Sequence, residues 1–173
     1  MFDVCYTLRK GDSMDSTVPK LQYYKLRGGA SAPEFATEGS ACFDLRVCWD
    51  TEEEMWGPIK GRNIRVGKKM LVPTGLAFNI PEGYSIRVHP KSGLACKHGL
   101  TLTNCEGIID SDYHQEVFIC VWNTSDENDY YLRQGDKICQ AELVRNEQYQ
   151  IEETTEQPQK TTTRDGGFGS TGK

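Results

Sequence analysis

Short apolar runs separated by turn-forming residues recur along most of this chain, and they restrict its fold more than any other feature. Each run is rich in Ile, Val, Phe and Leu and is bounded by Gly, Pro, Asn or Asp. Runs of this length favour β-strands, because amphipathic helices need longer periodic segments. The sequence therefore predicts an all-β fold, a distorted barrel or jelly roll. The predicted strands span residues 21–26, 43–48, 69–72, 75–80, 84–88, 100–102, 107–109, 117–122 and 137–144.

Helical signals are few. Residues 93–99 could form a helical turn with Ser92 as its N-cap, and residues 50–56 could form another. The wider segment 49–66 contains two tryptophans, three consecutive glutamates and several basic residues. It is predicted to be a solvated surface excursion.

The two ends of the chain differ in composition from its middle. Residues 1–20 are mostly polar and are predicted to be an N-terminal extension with a possible strand at 2–8. Residues 21–151 contain the other strand signals and form the predicted β-domain. Residues 152–173 are rich in Thr, Gln and Gly and have too few apolar side chains to fold alone, so they predict a flexible C-terminal arm.

The charge balance excludes some classes of partner. The chain of 173 residues has 20 basic and 25 acidic side chains, which give a net charge of −5. This balance argues against a protein that binds nucleic acid by neutralising its phosphates. No apolar run is long enough to cross a membrane. We therefore expect no nucleic-acid partner, no membrane partner, and a cytoplasmic location, or the host-cell cytoplasm if the protein is viral.

The cysteines follow no recognisable pattern. There are seven, an odd number, and no two of them form a C-x-x-C pair. The three histidines do not cluster with them in the sequence. The sequence therefore predicts reduced thiols, and neither a disulfide framework nor a zinc site.

Three segments carry side chains suited to binding a nucleotide. The tail at 164–172 (RDGGFGSTG) offers backbone N–H groups to phosphate and one aromatic ring to a base, although it could equally be a disordered end. Residues 90–95 (PKSGLA) place a cation and a hydroxyl at a possible helix start, which favours anions but also fits a helix cap without a ligand. Residues 104–113 predict a hairpin with a tight turn near 105–107, followed by two acidic residues and a tyrosine. An aspartate after an apolar strand can hold a water as general base, or can simply cap the turn.

Five segments in order resemble the motifs of the trimeric dUTPase family. They are residues 40–45 (SACFDL), 90–95, 107–113 (GIIDSDY) with the upstream Asn104, 135–140 (GDKICQ), and the glycine-rich tail. Together they cover the chain from about residue 21 to its end, and residues 1–20 and 49–66 have no match. The resemblance implies a homotrimer whose active sites each use three subunits. It also implies magnesium-dependent hydrolysis of dUTP to dUMP and pyrophosphate, which keeps uracil out of DNA and supplies dUMP for dTMP synthesis.

The resemblance also implies roles for individual residues. Asp110 would orient the water that attacks the α-phosphorus, and Asp44 would contact magnesium through water. Tyr113 would pack on the deoxyribose and leave no room for a 2′-hydroxyl. The implied substrate-binding set has three parts, which contact the uracil, the phosphates and the closed arm: Asn104, Gly107 and Ile109; Lys91, Ser92, Gly93 and Gln140; Arg164, Phe168, Gly169, Ser170 and Thr171.

Several positions depart from the family pattern. The family usually has glycine where this chain has Cys42, and an apolar residue where it has Glu106, which we expect to point to solvent. Lys91 and Lys137 stand where arginine is more common, so they offer point charges instead of bidentate donors. Arg164 stands one residue closer to the tail aromatic than usual.

Two other functions compete with this interpretation. A dCTP deaminase of the same fold would need a glutamate on the strand after the hairpin, where this chain has Cys120. A non-catalytic or regulatory binding protein could use the tryptophan-containing excursion at 49–66 to engage a partner.

Overall fold

The computed structural model describes residues 18–49 and 61–163, and these ranges contain twelve strands and one helix. The all-β class predicted from the sequence is confirmed. The strands are β1 Gln22–Lys25, β2 Glu34–Phe35, β3 Phe43–Arg46, β4 Gly61–Ile64, β5 Lys69–Pro73, β6 Leu76–Asn79, β7 Tyr84–His89, β8 Leu100–Leu102, β9 Gly107–Ile109, β10 Phe118–Asn123, β11 Tyr130–Arg133 and β12 Lys137–Arg145; the helix is α1 Ser92–His98.

The described strands form four sheets, and every pairing is antiparallel. The largest sheet has five strands in the order β2-β3-β12-β7-β9, and it contains the predicted site residues Asp44, Gly107, Ile109 and Gln140. The others have the orders β5-β10-β8, β1-β6 and β11-β4. Because neighbours in the large sheet are distant in sequence, strand register decides which side chains meet.

One hydrophobic core joins the sheets. It contains buried side chains from ten of the strands, among them Leu45 of β3, Ile86 of β7 and Leu132 of β11. Along β10 the residues alternate, with Ile119 and Val121 buried and their neighbours Phe118 and Trp122 more exposed. The strand was predicted from its short apolar run, and the period-two burial within that run appears only in the structure.

The excursion prediction is wrong at both ends of the segment 49–66. Trp49 is 1% exposed, and its indole Nε1 donates to Leu132 O at 3.2 Å. Gly61–Ile64 forms β4, which pairs with β11, and Ile64 is also buried. The core positions Trp49 and Ile64 were not predicted, because the surrounding polar residues do not indicate that the segment packs against a strand far along the chain. Residues 50–60, including the possible helical turn, lie outside the described residues.

The predicted helix is present, but its N-cap is not the predicted residue. Helix α1 begins at Ser92, so Ser92 is the first helical residue, and the N-cap is Lys91 in extended conformation without a side-chain cap hydrogen bond. At the other end Gly99 adopts a left-handed conformation with φ 64°. A Cβ at Gly99 would also lie 2.6 Å from Ser125 N, so glycine is required there for two reasons.

The segment predicted to be a hairpin is a turn between two sheets. The strands on its two sides are β8 and β9, and β8 pairs with β10 whereas β9 pairs with β7. The tight turn itself is present, since Cys105 has a positive φ of 57°. This arrangement leaves β9 at the edge of the five-stranded sheet.

Residues 146–163, which follow β12, contain no helix or strand, and residues 149–163 are exposed throughout. The predicted division at 1–20, 21–151 and 152–173 stays a prediction, since residues 1–17 and 164–173 lie outside the described ranges. No helix in the part of the chain described here has the length and apolar character needed to cross a membrane.

Candidate functional site

A buried aspartate lies at the centre of one group of predicted site residues. Asp44 is in the middle of β3, between the core residues Phe43 and Leu45, and its side chain is only 5% exposed. Lys91 Nζ donates to its Oδ1, and Lys137 Nζ lies 2.5 Å from its Oδ2. An isolated buried carboxylate would cost several kcal/mol, so the two cations are needed for it to remain charged.

The topology of the large sheet explains why the two lysines meet at one carboxylate. Strand β12 lies between β3 and β7, and Lys137 begins β12 opposite Arg46. Lys91 follows the end of β7 and precedes α1. Burial acts to raise the pKa of Asp44, but the close contacts and positive charges of Lys137 and Lys91 outweigh it, and the pKa lies below its usual value.

One oxygen of this carboxylate has no hydrogen bond. Oδ2 is the buried side-chain oxygen or nitrogen among the described residues that lacks one, since Lys137 approaches it as an ion pair without hydrogen-bond geometry. An anionic oxygen of this kind suits a hard cation such as magnesium or a water bound to it. The donor chemistry at Asp44 therefore fits the metal role implied by the sequence.

The structure brings the other predicted phosphate-binding residues close to Asp44. Gln140 pairs with Asp44 on one side and with His89 on the other, and its Nε2 donates to Pro90 O at 3.3 Å. Ser92 and Gly93 are exposed in the first turn of α1. A Cβ at Gly93 would meet no atom within 4 Å, so the approach to this turn is open.

A second group surrounds a cavity of about 190 Å³. Asp110 is the residue directly after β9, it is exposed, and it lines the cavity together with Tyr113. The remaining wall is apolar and consists of Ile108, Ile109, Val117 and Phe118. A carboxylate beside two aromatic rings at one cavity is suited to hold a water next to a planar ligand.

The loop that carries Asp110 and Tyr113 is fixed by Glu116. Tyr113 N donates to Asp110 O at 3.1 Å, and the Tyr113 hydroxyl donates to Glu116 O at 2.8 Å. The Glu116 carboxylate accepts from Gly75 N at 2.9 Å and pairs with Arg27 at 2.6 Å. Arg27 and Glu116 were not predicted as site residues, because their contact joins positions 89 apart in the chain.

The turn before β9 is tight. Glu106 N donates to Asn104 O at 2.5 Å across the left-handed Cys105. A Cβ at Gly107 would lie 3.2 Å from Val88 Cβ of β7 and 3.6 Å from Asn104 Nδ2. Asn104 and Gly107 are therefore neighbours, as their shared motif predicted, and a side chain at Gly107 would crowd β7.

The Glu106 carboxylate does more than point to solvent. Its side chain is 46% exposed, but Oε2 lies 3.5 Å from Arg87 Nη1 and Oε1 lies 3.6 Å from His89 Nδ1. The expectation of a purely solvent-facing charge is thus only half right. The sequence could not reveal these contacts, because they depend on the pairing of β7 with β9.

The residues of the first group do not line the cavity beside Asp110. Asp44, Lys91 and Gln140 are absent from the cavity wall beside Asp110. The predicted arm residues Arg164, Phe168, Gly169, Ser170 and Thr171 lie outside the described residues. Lys137 is the residue of the first group that the sequence did not assign to the site, although it lies within the fourth motif.

The structure also bears on the features behind the rival functions. Cys120, where a deaminase would need a glutamate, is half-buried in β10 opposite Leu71. Trp49, which could have served a partner surface, is a core residue.

Comparison with known proteins identifies related sequences over most of the chain. A family model described as dUTPase matches residues 29–172. A deoxyuridine 5'-triphosphate nucleotidohydrolase from Finegoldia magna is 43% identical over 140 residues, which cover 81% of this chain and 90% of that protein. The protein of the same name from Fusobacterium nucleatum is 40% identical over 145 residues, which cover 84% and 92%.

Solved structures show the same fold at lower identity. A mutant dUTPase of Staphylococcus bacteriophage 80alpha, solved with dUpNHpp, has a TM-score of 0.70 and 20% identity, covering 88% of this chain and 98% of its own. A mutant dUTPase from phage phi11 of S. aureus, described with a structural Mg(II) ion, has a TM-score of 0.67 and 22% identity, covering 79% and 97%.

The arrangement at Asp44 predicts a pH-dependent effect of removing one lysine. Lys137→Met leaves the buried carboxylate with one cation, so the free energy of unfolding should fall by about 1–3 kcal/mol at neutral pH. Lys137 is itself 37% exposed, which places the expected loss at the lower end. Urea unfolding at a fixed chain concentration measures it, with the exposed Lys68→Met as control.

The difference between the two variants should shrink in acid. Because the folded chain lowers the pKa of Asp44, its ion pairs stabilise the fold fully above the unfolded value of about 4. That contribution disappears as the pH falls through the lower folded pKa. Equal losses for Lys137→Met and Lys68→Met at neutral pH would contradict this role of Lys137.

Proposed function

The chain belongs to the dUTPase family, and on that premise we propose that it hydrolyses dUTP to dUMP and pyrophosphate. The observation that carries the proposal is the position of Asp110, an exposed carboxylate beside Tyr113 at a cavity that follows an edge strand. Two relatives named for this activity, at 43% and 40% identity, support it.

In the proposed reaction Asp110 accepts a hydrogen bond from a water and thereby orients it for attack on the α-phosphorus. The bond between that phosphorus and its bridging oxygen to the β-phosphate breaks, and pyrophosphate leaves with the electron pair. One water is consumed and one proton is released to solvent. No covalent enzyme intermediate is needed, because catalysis here depends on positioning and charge stabilisation.

Edge strand β9 is suited to recognise a uracil. Within the described residues β9 pairs only with β7, so its other side presents backbone N–H and C=O groups that are free to pair with a planar base. We propose that the backbone at Gly107 and Ile109, together with the Asn104 side chain, reads the uracil edge. Tyr113, held by its hydroxyl to Glu116 O, would cover the sugar face.

The group around Asp44 is suited to bind the phosphates. Lys91, Ser92 and Gly93 offer a cation, a hydroxyl and an open helical turn, and Gln140 adds an amide on the neighbouring strand. We propose that all four contact the phosphate chain. Asp44 would hold magnesium through water, and the ion, when bound, would neutralise charge on the three phosphates.

We further propose that the active protein is a homotrimer with active sites shared between subunits. The cavity beside Asp110 supports this, since its lining residues do not include those of the Asp44 group. The wall residues Ile108 and Phe118 are 56% and 42% exposed, which leaves apolar surface at the cavity for another chain to cover. The arm, with Arg164, Phe168, Gly169, Ser170 and Thr171, would close over the bound substrate.

The proposed role in the cell is to keep uracil out of DNA and to supply dUMP for dTMP synthesis. It includes a cytoplasmic place of action, the compartment that an odd number of unpatterned cysteines suggests.

Substrate selectivity tests the proposed function directly. Pyrophosphate release should be measured in parallel from dUTP, dCTP, dTTP and UTP, with and without magnesium. We expect dUTP to be preferred over dCTP by at least about 100-fold in kcat/KM, because a mismatched base edge leaves buried polar groups unpaired. We expect it to be preferred over UTP as well, because Tyr113 would leave no room for the 2′-hydroxyl. Equal rates on dUTP and dCTP would contradict base reading by β9.

The role of Asp110 predicts a selective loss of turnover. Asp110→Asn should lower kcat by about 100-fold or more, the scale of general-base loss, while a dUTP analogue still binds with near-normal affinity. The exposed neighbour Asp112→Asn is the matched control and should keep normal turnover. Near-normal kcat in Asp110→Asn would show that another group positions the water.

A further inference from the structure

Three side chains on the large sheet place possible metal-ligand atoms close together. The Sγ of Cys42, a ring nitrogen of His89 and a carboxylate oxygen of Glu142 all lie within 4.8 Å of one another. All three side chains are half-buried. None of them belongs to the residues proposed to bind dUTP or magnesium.

Strand register brings these residues together. Cys42 directly precedes β3, His89 ends β7, and Glu142 lies in β12 between those two strands. His89 and Glu142 are 53 positions apart, yet His89 Nε2 lies 3.1 Å from Glu142 Oε1. Cys42 and His89 do not cluster in the sequence, and the fold brings them together.

The other ring nitrogen of His89 has an acidic partner as well. Its Nδ1 lies 3.6 Å from Glu106 Oε1, and the second oxygen of Glu106 lies 3.5 Å from Arg87. Histidines that bind metals usually donate their second N–H to a carboxylate, which fixes the ring orientation and strengthens the ligand. The Glu106 carboxylate lies where such a partner of His89 Nδ1 would be, and Arg87 forms an ion pair with it.

We propose that Cys42, His89 and Glu142 bind one Zn²⁺ per chain. Thiolate and imidazole ligands favour zinc, whereas magnesium takes oxygen ligands, so this ion differs from the one proposed at Asp44. Zinc bond lengths of about 2.0–2.3 Å put tetrahedral ligand atoms roughly 3.3–3.8 Å apart. The ligand atoms, which now lie within 4.8 Å of one another, would move closer together by at most about 1.5 Å on binding. A solvent water completes the fourth position.

Binding has a defined proton balance and a structural effect. The Cys42 thiol loses its proton to solvent as the sulfur–zinc bond forms, and His89 Nε2 binds as the neutral ring with its proton on Nδ1. The bound ion would link β7, β12 and the chain entering β3. Because Gln140 and Glu142 are two residues apart on one face of β12, this link lies next to the phosphate-binding group. The inference does not depend on dUTP being the substrate.

Cobalt and zinc binding to the full-length, metal-stripped protein tests the proposal. Co²⁺ should give one bound ion per chain with a sulfur-to-cobalt charge-transfer band in the near ultraviolet and tetrahedral ligand-field bands in the visible. Zn²⁺ should displace it with the same stoichiometry. Zn²⁺ should also raise the thermal midpoint of unfolding in a concentration-dependent way, since it binds the folded chain.

Variants assign the ligands. Cys42→Ser should abolish the charge-transfer band, and Glu142→Gln should weaken zinc binding by about 100-fold or more. Glu106→Gln should weaken it by about 10–100-fold, the usual effect of losing an outer partner. Cys96→Ser is the matched control, because Cys96 is an exposed thiol in α1 and should not affect binding.

Each measurement has an outcome that would contradict zinc binding by Cys42, His89 and Glu142. Absence of a charge-transfer band in the wild-type protein with stoichiometric Co²⁺ excludes a Cys42 ligand without any variant. A band that persists in Cys42→Ser, or that is lost in Cys96→Ser, assigns the metal elsewhere. A melting curve of each variant in chelator separates loss of metal binding from loss of fold.

Discussion

The pairing of a buried carboxylate with two lysines determines much of the rest of this structure. Asp44 is buried in β3, and Lys91 and Lys137 from two other segments stabilise its negative charge. Removing either cation would leave part of a buried charge without compensation, which costs more than the loss of a surface ion pair. The same contacts bring together the residues proposed to bind phosphate, which lie on or next to the three inner strands β3, β12 and β7 of the large sheet. In the free chain Asp44 offsets one of the two lysine charges, so the group keeps a net positive charge that favours an incoming phosphate chain.

Local pattern predicted the strands whose burial alternates and missed those whose burial depends on a distant partner. Strands β10 and β12 were predicted because each is a short run rich in apolar residues and bounded by turn-forming ones. Strand β4 was missed because its sequence GRNI contains one apolar residue. Strand β11 was missed although Leu132 lies in the core and Tyr130 packs against it. Trp49 was assigned to the surface by its acidic neighbours, yet it donates to Leu132 O inside the core. Propensity carries no information about such pairings, which bring together residues more than 80 positions apart.

The candidate site shows the same division between local and long-range information. The order of the motifs identified Asp44, Asp110 and Tyr113, and the structure places Asp110 and Tyr113 at one cavity. The sequence did not reveal Glu116, which holds the Tyr113 loop, or the cluster of Cys42, His89 and Glu142. Each of these depends on strand register, since a shift of one residue would turn the side chains to the other face of the sheet. The central claim that remains for experiment is that the Asp44 group and the Asp110 cavity act together across two copies of the chain.

Mixing two defective chains tests that claim most directly. One chain carries Asp110→Asn, and the other carries Ser92→Ala with Gln140→Ala; each alone should be nearly inactive. If a site takes Asp110 from one copy and the phosphate-binding residues from another, unfolding and refolding an equal mixture should restore roughly one quarter of wild-type turnover, the share expected for random trimers with one intact site in each mixed trimer. Mass measurement should verify that mixed assemblies form. If they form and turnover stays at the level of the two parents, the complete site lies within a single chain and the account is wrong.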